Sequence, residues 1–376
     1  MGKNIPGTNP PLVGESSAIP IFLLTTLLVS SVFYFLIIKS GHMSGGWGAY
    51  VAGLMWSPGF AALLTCKLLR RDFSGIGWGW GKTRYELIGY LIPLGYSIVI
   101  YAFVWLTGLG GFYDKSFVDQ ITTSFGFGPI PAWASITLYF IFTATFTVIR
   151  DFATVIGEEI GWRGFLVPEL AKRHTFTATA MITGFIWAIW HYPVILFADY
   201  HGASPAWFYV PLLTVMLPLL TFVWTWLRLK SKSIWPCVLL HASHNTFIQQ
   251  FFDPLTVNRS KTGYVAGEFG AALLVISIAM AFYFWTRRDE VESGRLLNSR
   301  VDHLARSLSI IFGYLVVDRP FGHNPFPVHF GMNYSLPIAY LPLWRDPSFE
   351  KTDQDHSACA CGPDLLRGAR RLHTST

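Results

Sequence analysis

The chain has 376 residues, of which 52% are hydrophobic, 16% aromatic and only 13% charged, with a formal net charge of +6. Soluble domains carry roughly 25% charged residues, so half that density cannot cover a water-facing surface of this size, and the bulk of the protein belongs in lipid. Disordered, collagen-like and disulfide-stapled classes are excluded by the apolar content and by a cysteine count of four, none at zinc-finger spacing.

Residues 1–18 form a Pro-, Gly- and Ser-rich extension with a single cation, Lys3, and lack the basic start and small-residue cleavage site of a removed signal. A bilayer core of about 30 Å takes about 20 apolar residues of helix. About eight such stretches follow in order: Ile19 to Ile38, Trp47 to Leu68, Leu87 to Leu109, Trp133 to Ile156, Ala178 to Ala198, Trp207 to Leu227, Ile234 to Gln250 and Phe269 to Trp285. The expected fold is therefore all-α, a polytopic membrane bundle over 19–286. Prolines inside the stretches, such as Pro58 and Pro93, are tolerated when neighbouring helices satisfy the freed backbone groups.

Basic residues gather in every second connection: Lys67, Arg70, Arg71, Lys82 and Arg84; then Arg163, Lys172 and Arg173; then Arg228, Lys230 and Lys232; then Arg287 and Arg288. The positive-inside rule puts these connections and both termini in the cytoplasm, with Lys39 the exception. Cations spread over short loops do not make the continuous basic surface of a nucleic-acid binder. From 287 to 376 the composition changes to 11 Lys/Arg and 10 Asp/Glu in 90 residues, with six prolines between 320 and 347, so this segment reads as a cytoplasmic, mostly irregular tail.

Ionisable groups at membrane depth are costly and mark function. Three clusters occur between 158 and 245. In Gly157-Glu158-Glu159-Ile160-Gly161-Trp162-Arg163, Glu159 and Arg163 are one helical turn apart and can pair. Glu158 points about 100° away, toward another helix. His191 follows Trp187 and Trp190 deep in the fifth stretch, and His241 and Asn245 share one face of the seventh, with His244 beside them. Taken singly, each has a structural explanation: a solvated pair at a helix end, a packed core histidine, interhelical polar glue. Together, a carboxylate, two imidazoles and a carboxamide suit hydrolysis. A Glu with a His nearby can move a proton from water to a leaving amine, and a His and an Asn can donate to an oxyanion. Alternatively Glu158, His191 and His241 could ligate a zinc ion. Spacing does not separate these mechanisms. Zincin, nucleophile-elbow and P-loop motifs are absent from the sequence.

On these residues the chain resembles the CAAX protease and bacteriocin-processing (CPBP, or Abi) family of intramembrane proteases. Its Glu-Glu-x-x-x-Arg motif is met by Glu158, Glu159 and Arg163, its Phe-x-x-x-His motif by Trp187 and His191 with Trp in place of Phe, and its His-x-x-x-Asn motif by His241 and Asn245. The resemblance covers about residues 130–255. It implies an eight-helix bundle in which Glu158 and His191 activate water, His241 and Asn245 stabilise the oxyanion, and Glu159 and Arg163 give support. The implied activity is cleavage of a peptide bond near the cytoplasmic face, in a peptide or protein whose C-terminus is prenylated in the eukaryotic branch. The family's mechanism has been described both as metalloprotease and as glutamate-activated hydrolase, so a divalent metal such as zinc stays open. A proton-coupled transporter and an inactive scaffold on the same fold are the alternatives. One geometric problem follows from these boundaries. With Glu158 at the end of the fourth stretch and His191 more than ten residues into the fifth, their depths differ by about 15 Å at about 1.5 Å per residue. Either the segment 150–165 bends back into the bundle or the fifth stretch is misplaced.

Overall fold

The computed structural model describes residues 17–126, 128–201 and 204–292. Most of the 1–18 extension and the tail from 293 onward lie outside the described residues. Six helices are long and apolar enough to cross a membrane: α1 (Ala18–Ser40), α2 (Ala49–Leu68), α3 (Thr83–Leu106), and, after the short amphipathic α4 (Lys115–Ser124), α5 (Ala132–Ala171), α6 (Phe176–Phe197) and α7 (Ala206–Ser231). They make this a multi-pass membrane protein. Two further elements correspond to the last two expected spans. α8 (Trp235–His244) runs on through wide turns at Asn245–Phe252, and α9 (Ala271–Thr286) has 16 residues. The all-α expectation holds, with six rather than eight helices meeting both length and apolarity among the described residues. Two dipeptide strands, β1 (Gly111–Phe112) and β2 (Thr256–Val257), pair antiparallel at one end of the bundle.

Local chemistry sets the helix ends. The Asp114 carboxylate accepts the Phe117 N–H at the start of α4 and the Thr175 hydroxyl accepts that of Ala178 in α6, the capping that orphan N–H groups need. Large apolar side chains face outward along the spans, among them Leu24, Leu28 and Phe35 of α1 and Val275, Ile278 and Phe282 of α9. Glu158, Glu159, Arg163 and His241 are buried. This distribution, apolar outside and ionisable inside, is the one lipid demands.

The depth problem resolves within the suspected segment 150–165, though not by a backward bend. The fourth stretch does not end at Ile156; α5 continues for 40 residues, so Glu158 lies within the helix and no backward bend occurs. The helix is not regular: π-helical turns at Thr143–Thr147 and Ile160–Leu166 interrupt it. Wide turns of this kind often accompany functional sites, and the second directly follows the paired glutamates.

Close backbone approach positions two of the three site-bearing helices. A Cβ on Gly157 of α5 would lie 2.6 Å from Trp56 Cα of α2. A Cβ on Gly184 of α6 would lie 2.3 Å from Pro218 Cα of α7, and beside it the Thr221 hydroxyl donates to Ala180 O across the pair at 2.8 Å. Small residues at such crossings are how membrane helices gain packing contact. Gly184→Ala should therefore destabilise the detergent-solubilised protein by about 1–3 kcal/mol, the usual cost of overpacking, read as a lowered thermal unfolding midpoint.

Candidate active site

The α-helical segment Val148–Glu159 of α5 ends at the two glutamates, whose side chains diverge as adjacent helical positions must. Glu159 turns inward. Its Oε1 accepts from Arg163 Nη1 at 2.8 Å and from His241 Nδ1 of α8 at 2.8 Å. The Arg163 guanidinium is fully buried, with its Cζ 4.2 Å from the Trp187 ring centre and 5.1 Å from that of Trp224. A buried guanidinium needs both an anion and polarisable faces around it, and these residues supply them. Glu158 turns toward α6, where Trp187 Nε1 donates to its Oε2 at 2.8 Å.

His191 Nδ1 lies 2.7 Å from Trp187 O, one turn back in the same helix. A carbonyl only accepts, so Nδ1 carries the proton and, in the neutral ring, Nε2 keeps its lone pair. The same logic applies to His241: with Nδ1–H given to the Glu159 carboxylate, Nε2 donates only as imidazolium, for which Glu159 is the adjacent counter-charge. The Trp187 ring separates the two imidazoles, with centroids 5.7 Å from His191 and 5.5 Å from His241.

Glu158, His191, His241 and Asn245 all line one cavity of about 130 Å³, room for a few water molecules. Glu159 and Arg163 are not among its lining residues; they lie behind His241 and hold it. The three clusters that spacing alone left separate thus converge from three helices.

Comparison with known proteins finds relatives over the same segment. The family described as Rce1-like, Type II CAAX prenyl endopeptidase Rce1-like, matches residues 136–247, a segment that includes all six of these side chains. A CAAX prenyl protease 2 of Methanococcus maripaludis is 28% identical over 125 residues, covering 30% of this chain and 45% of the relative, less than half of that protein's length. Residues 136–247 are thus similar to Rce1-like CAAX prenyl endopeptidases. The family is one of membrane peptidases.

The cavity has lining residues that the three motifs do not name. His244, beside His241, meets the Tyr96 hydroxyl through Nδ1 and lines the cavity. Gln249 extends the 241, 245 face by one more turn, a periodicity the sequence did contain, and its Nε2 donates to Glu268 Oε2 at 2.7 Å. Tyr200, stacked on His191 at 6.0 Å, donates its hydroxyl to Glu268 at 2.9 Å. Neither Tyr200 nor Glu268 had a usable signal: each sits in a connection without periodicity, far in sequence from its partners.

Among the described residues, no group of three or more His, Cys, Asp or Glu side chains is arranged to hold a metal ion. The candidate ligands Glu158, His191 and His241 instead have one donor or acceptor each committed to Trp187 or Glu159. Each keeps a second atom free, Glu158 Oε1, His191 Nε2 and His241 Nε2, and no chemical step below passes through a metal.

Glu268 lies outside the spans, in the turn before α9, and burial lifts its carboxyl from the ordinary 4.5 to about 7 despite the hydrogen bond from Tyr200. Between those values the native state keeps a proton that the unfolded chain has released, so stability falls as pH rises from about 4.5 to 7. Glu268→Gln, which preserves an acceptor for Tyr200, should flatten that part of the profile. Chemical unfolding midpoints across this pH range would show it, and an unchanged slope would contradict it.

Proposed function

We propose that this chain is an intramembrane endopeptidase that hydrolyses a peptide bond with water activated by Glu158 and His191. The observation that carries the reading is the single cavity lined by Glu158, His191, His241 and Asn245 within an apolar bundle. A water beside Glu158 gives its proton to the carboxylate while its oxygen attacks the scissile carbonyl carbon. The oxyanion that forms accepts from His241 Nε2–H and the Asn245 amide, each such donor being worth about 2.7–4 kcal/mol in comparable sites. The carbon–nitrogen bond then breaks and the proton passes to the departing amine. His191, its Nδ1–H tied to Trp187 O, presents Nε2 to orient the water. Glu159 fixes the His241 ring and is its counter-charge, and Arg163 holds Glu159 in place.

In this reading α8 with its wide turns and α9 are the seventh and eighth crossings, both termini are cytoplasmic, and the tail from 287 is an appendage to the catalytic bundle. The substrate is a peptide or protein, with the prenylated C-terminus of CAAX proteins as the family's own example. The test is cleavage of matched prenylated and unprenylated peptides by purified full-length protein. Wild type should cut at least one series, and His241→Ala should lower the rate by roughly 10²–10³ for loss of one oxyanion donor. Equal rates for the two proteins would remove the assignment.

A further inference from the structure

We propose that the pocket where α2 and α5 finish is a binding site for a phosphate group, carried by an anionic lipid headgroup or by free phosphate. The pocket has a volume of about 400 Å³ and shares none of its lining residues with the catalytic cavity, so the proposal stands apart from the endopeptidase reading.

Its wall brings three cations, Arg70, Arg71 and Lys172, against two carboxylates, Asp72 and Glu169. Neither carboxylate is spare. Glu169 Oε1 alone accepts from both Arg71 Nη1, at 2.9 Å, and Lys172 Nζ. Asp72 turns back on its own loop, where its Oδ1 accepts from the Ser74 N–H at 2.7 Å and from the Ser74 hydroxyl. One oxygen thus holds two cations side by side, and a third cation stands at the same pocket. The Lys172 ammonium has three donors, of which Glu169 takes one. An anion with several acceptor oxygens is what this donor set lacks, and the bonds that Arg and Lys make to phosphate are among the strong ones.

The site is built before any ligand arrives. At the end of α2, Arg70 N donates to Lys67 O at 3.1 Å and Arg71 N to Cys66 O at 2.9 Å, the Schellman pattern, whose left-handed position is usually a glycine. Here that position is Arg70, at φ 53°, a conformation uncommon for a residue with a side chain. The turn sets both arginines at one pocket. The floor is equally fixed. Ile76, 1% exposed, packs on Gly164 in the wide turn of α5, where a Cβ would lie 2.8 Å from its Cγ2. The buried Arg228 of α7 donates from Nη2 to Gly75 O at 2.8 Å and Ile76 O at 3.1 Å, and from Nε to Arg163 O at 2.8 Å. A bound phosphate would therefore brace the turn that carries Arg163.

The surroundings favour a lipid as the source. Phe73, Trp78 and Trp80 of the same connection are exposed, and aromatic side chains at the ends of spans mark the headgroup level. Basic pockets between spans at that level suit anionic headgroups.

The test follows the unfolding midpoint of the purified full-length protein in detergent. It is titrated with phosphatidylglycerol, with phosphatidylcholine, and with sodium phosphate against sodium chloride at equal ionic strength. Phosphatidylglycerol should raise the wild-type midpoint by roughly 3 °C near saturation, and phosphatidylcholine should leave it unchanged. Arg70→Gln with Lys172→Gln alters two exposed side chains and keeps the Arg71–Glu169 pair. This variant should lose most of the rise, each protein being read against its own lipid-free midpoint. Lys82→Gln with Arg84→Gln removes the same charge from exposed positions outside the pocket and should retain the rise. A rise with sodium phosphate that depends on residues 70 and 172 would assign the site to free phosphate, and one with phosphatidylglycerol alone to a lipid headgroup. No rise with either anion, or equal rises in all three proteins, would overturn the proposal.

Discussion

Glu158→Gln should reduce peptide hydrolysis by at least about 10²-fold while leaving the fold in place. Glutamine is nearly isosteric with glutamate and its carbonyl oxygen can still accept from Trp187 Nε1, the bond that holds Glu158 at 2.8 Å. What it cannot do is take a proton from water. General-base assistance contributes typically 10²–10⁴ in rate, and the loss should fall on kcat, because the carboxylate acts on the attacking water rather than on binding. Initial rates in detergent, with a thermal unfolding midpoint for the same preparation, separate a chemical defect from a folding one. Wild-type rates in a folded variant would remove Glu158 from the mechanism.

Arg163→Met should be the most destabilising single change in the site. It leaves the Glu159 carboxylate buried with only a histidine beside it and strips the cation from between Trp187 and Trp224. Breaking a buried ion pair from one side costs about 3–5 kcal/mol, because the remaining carboxylate has lost its permanent cation and keeps only the His241 imidazole. The double change Glu159→Gln with Arg163→Met removes both charges and should recover most of that loss, as replacing whole buried pairs often does. Unfolding midpoints of wild type, Glu159→Gln, Arg163→Met and the double variant give the coupling directly, and additive losses would contradict it.

The two predictions touch the part of the molecule that the sequence displays best. Glu159 and Arg163, and likewise His241 and Asn245, sit one turn apart, so helical geometry alone paired them or put them on one face. The end of the fourth span was misread for a physical reason. Two adjacent carboxylates usually mark the headgroup region, since uncompensated charge is expelled from lipid; here the compensation comes from Arg163 in the same helix and His241 of another. The tertiary contact that allows Glu158 and Glu159 to lie within a 40-residue helix was therefore invisible in local composition. Tyr200 and Glu268 were missed because nothing in periodicity or spacing connects residue 191 to 200 or 249 to 268. Gln249 was legible and overlooked.

The contacts that Arg228 makes with Arg163, Gly75 and Ile76 have an electrical meaning as well as a structural one. A wet hole reaching far into a bilayer would short-circuit the ion gradients across it if it continued to the other face. A guanidinium fixed by three backbone carbonyls is both a physical stopper and a repulsive barrier to protons and metal cations. The cell can in this way keep a hydrolytic chamber inside its membrane without raising its conductance.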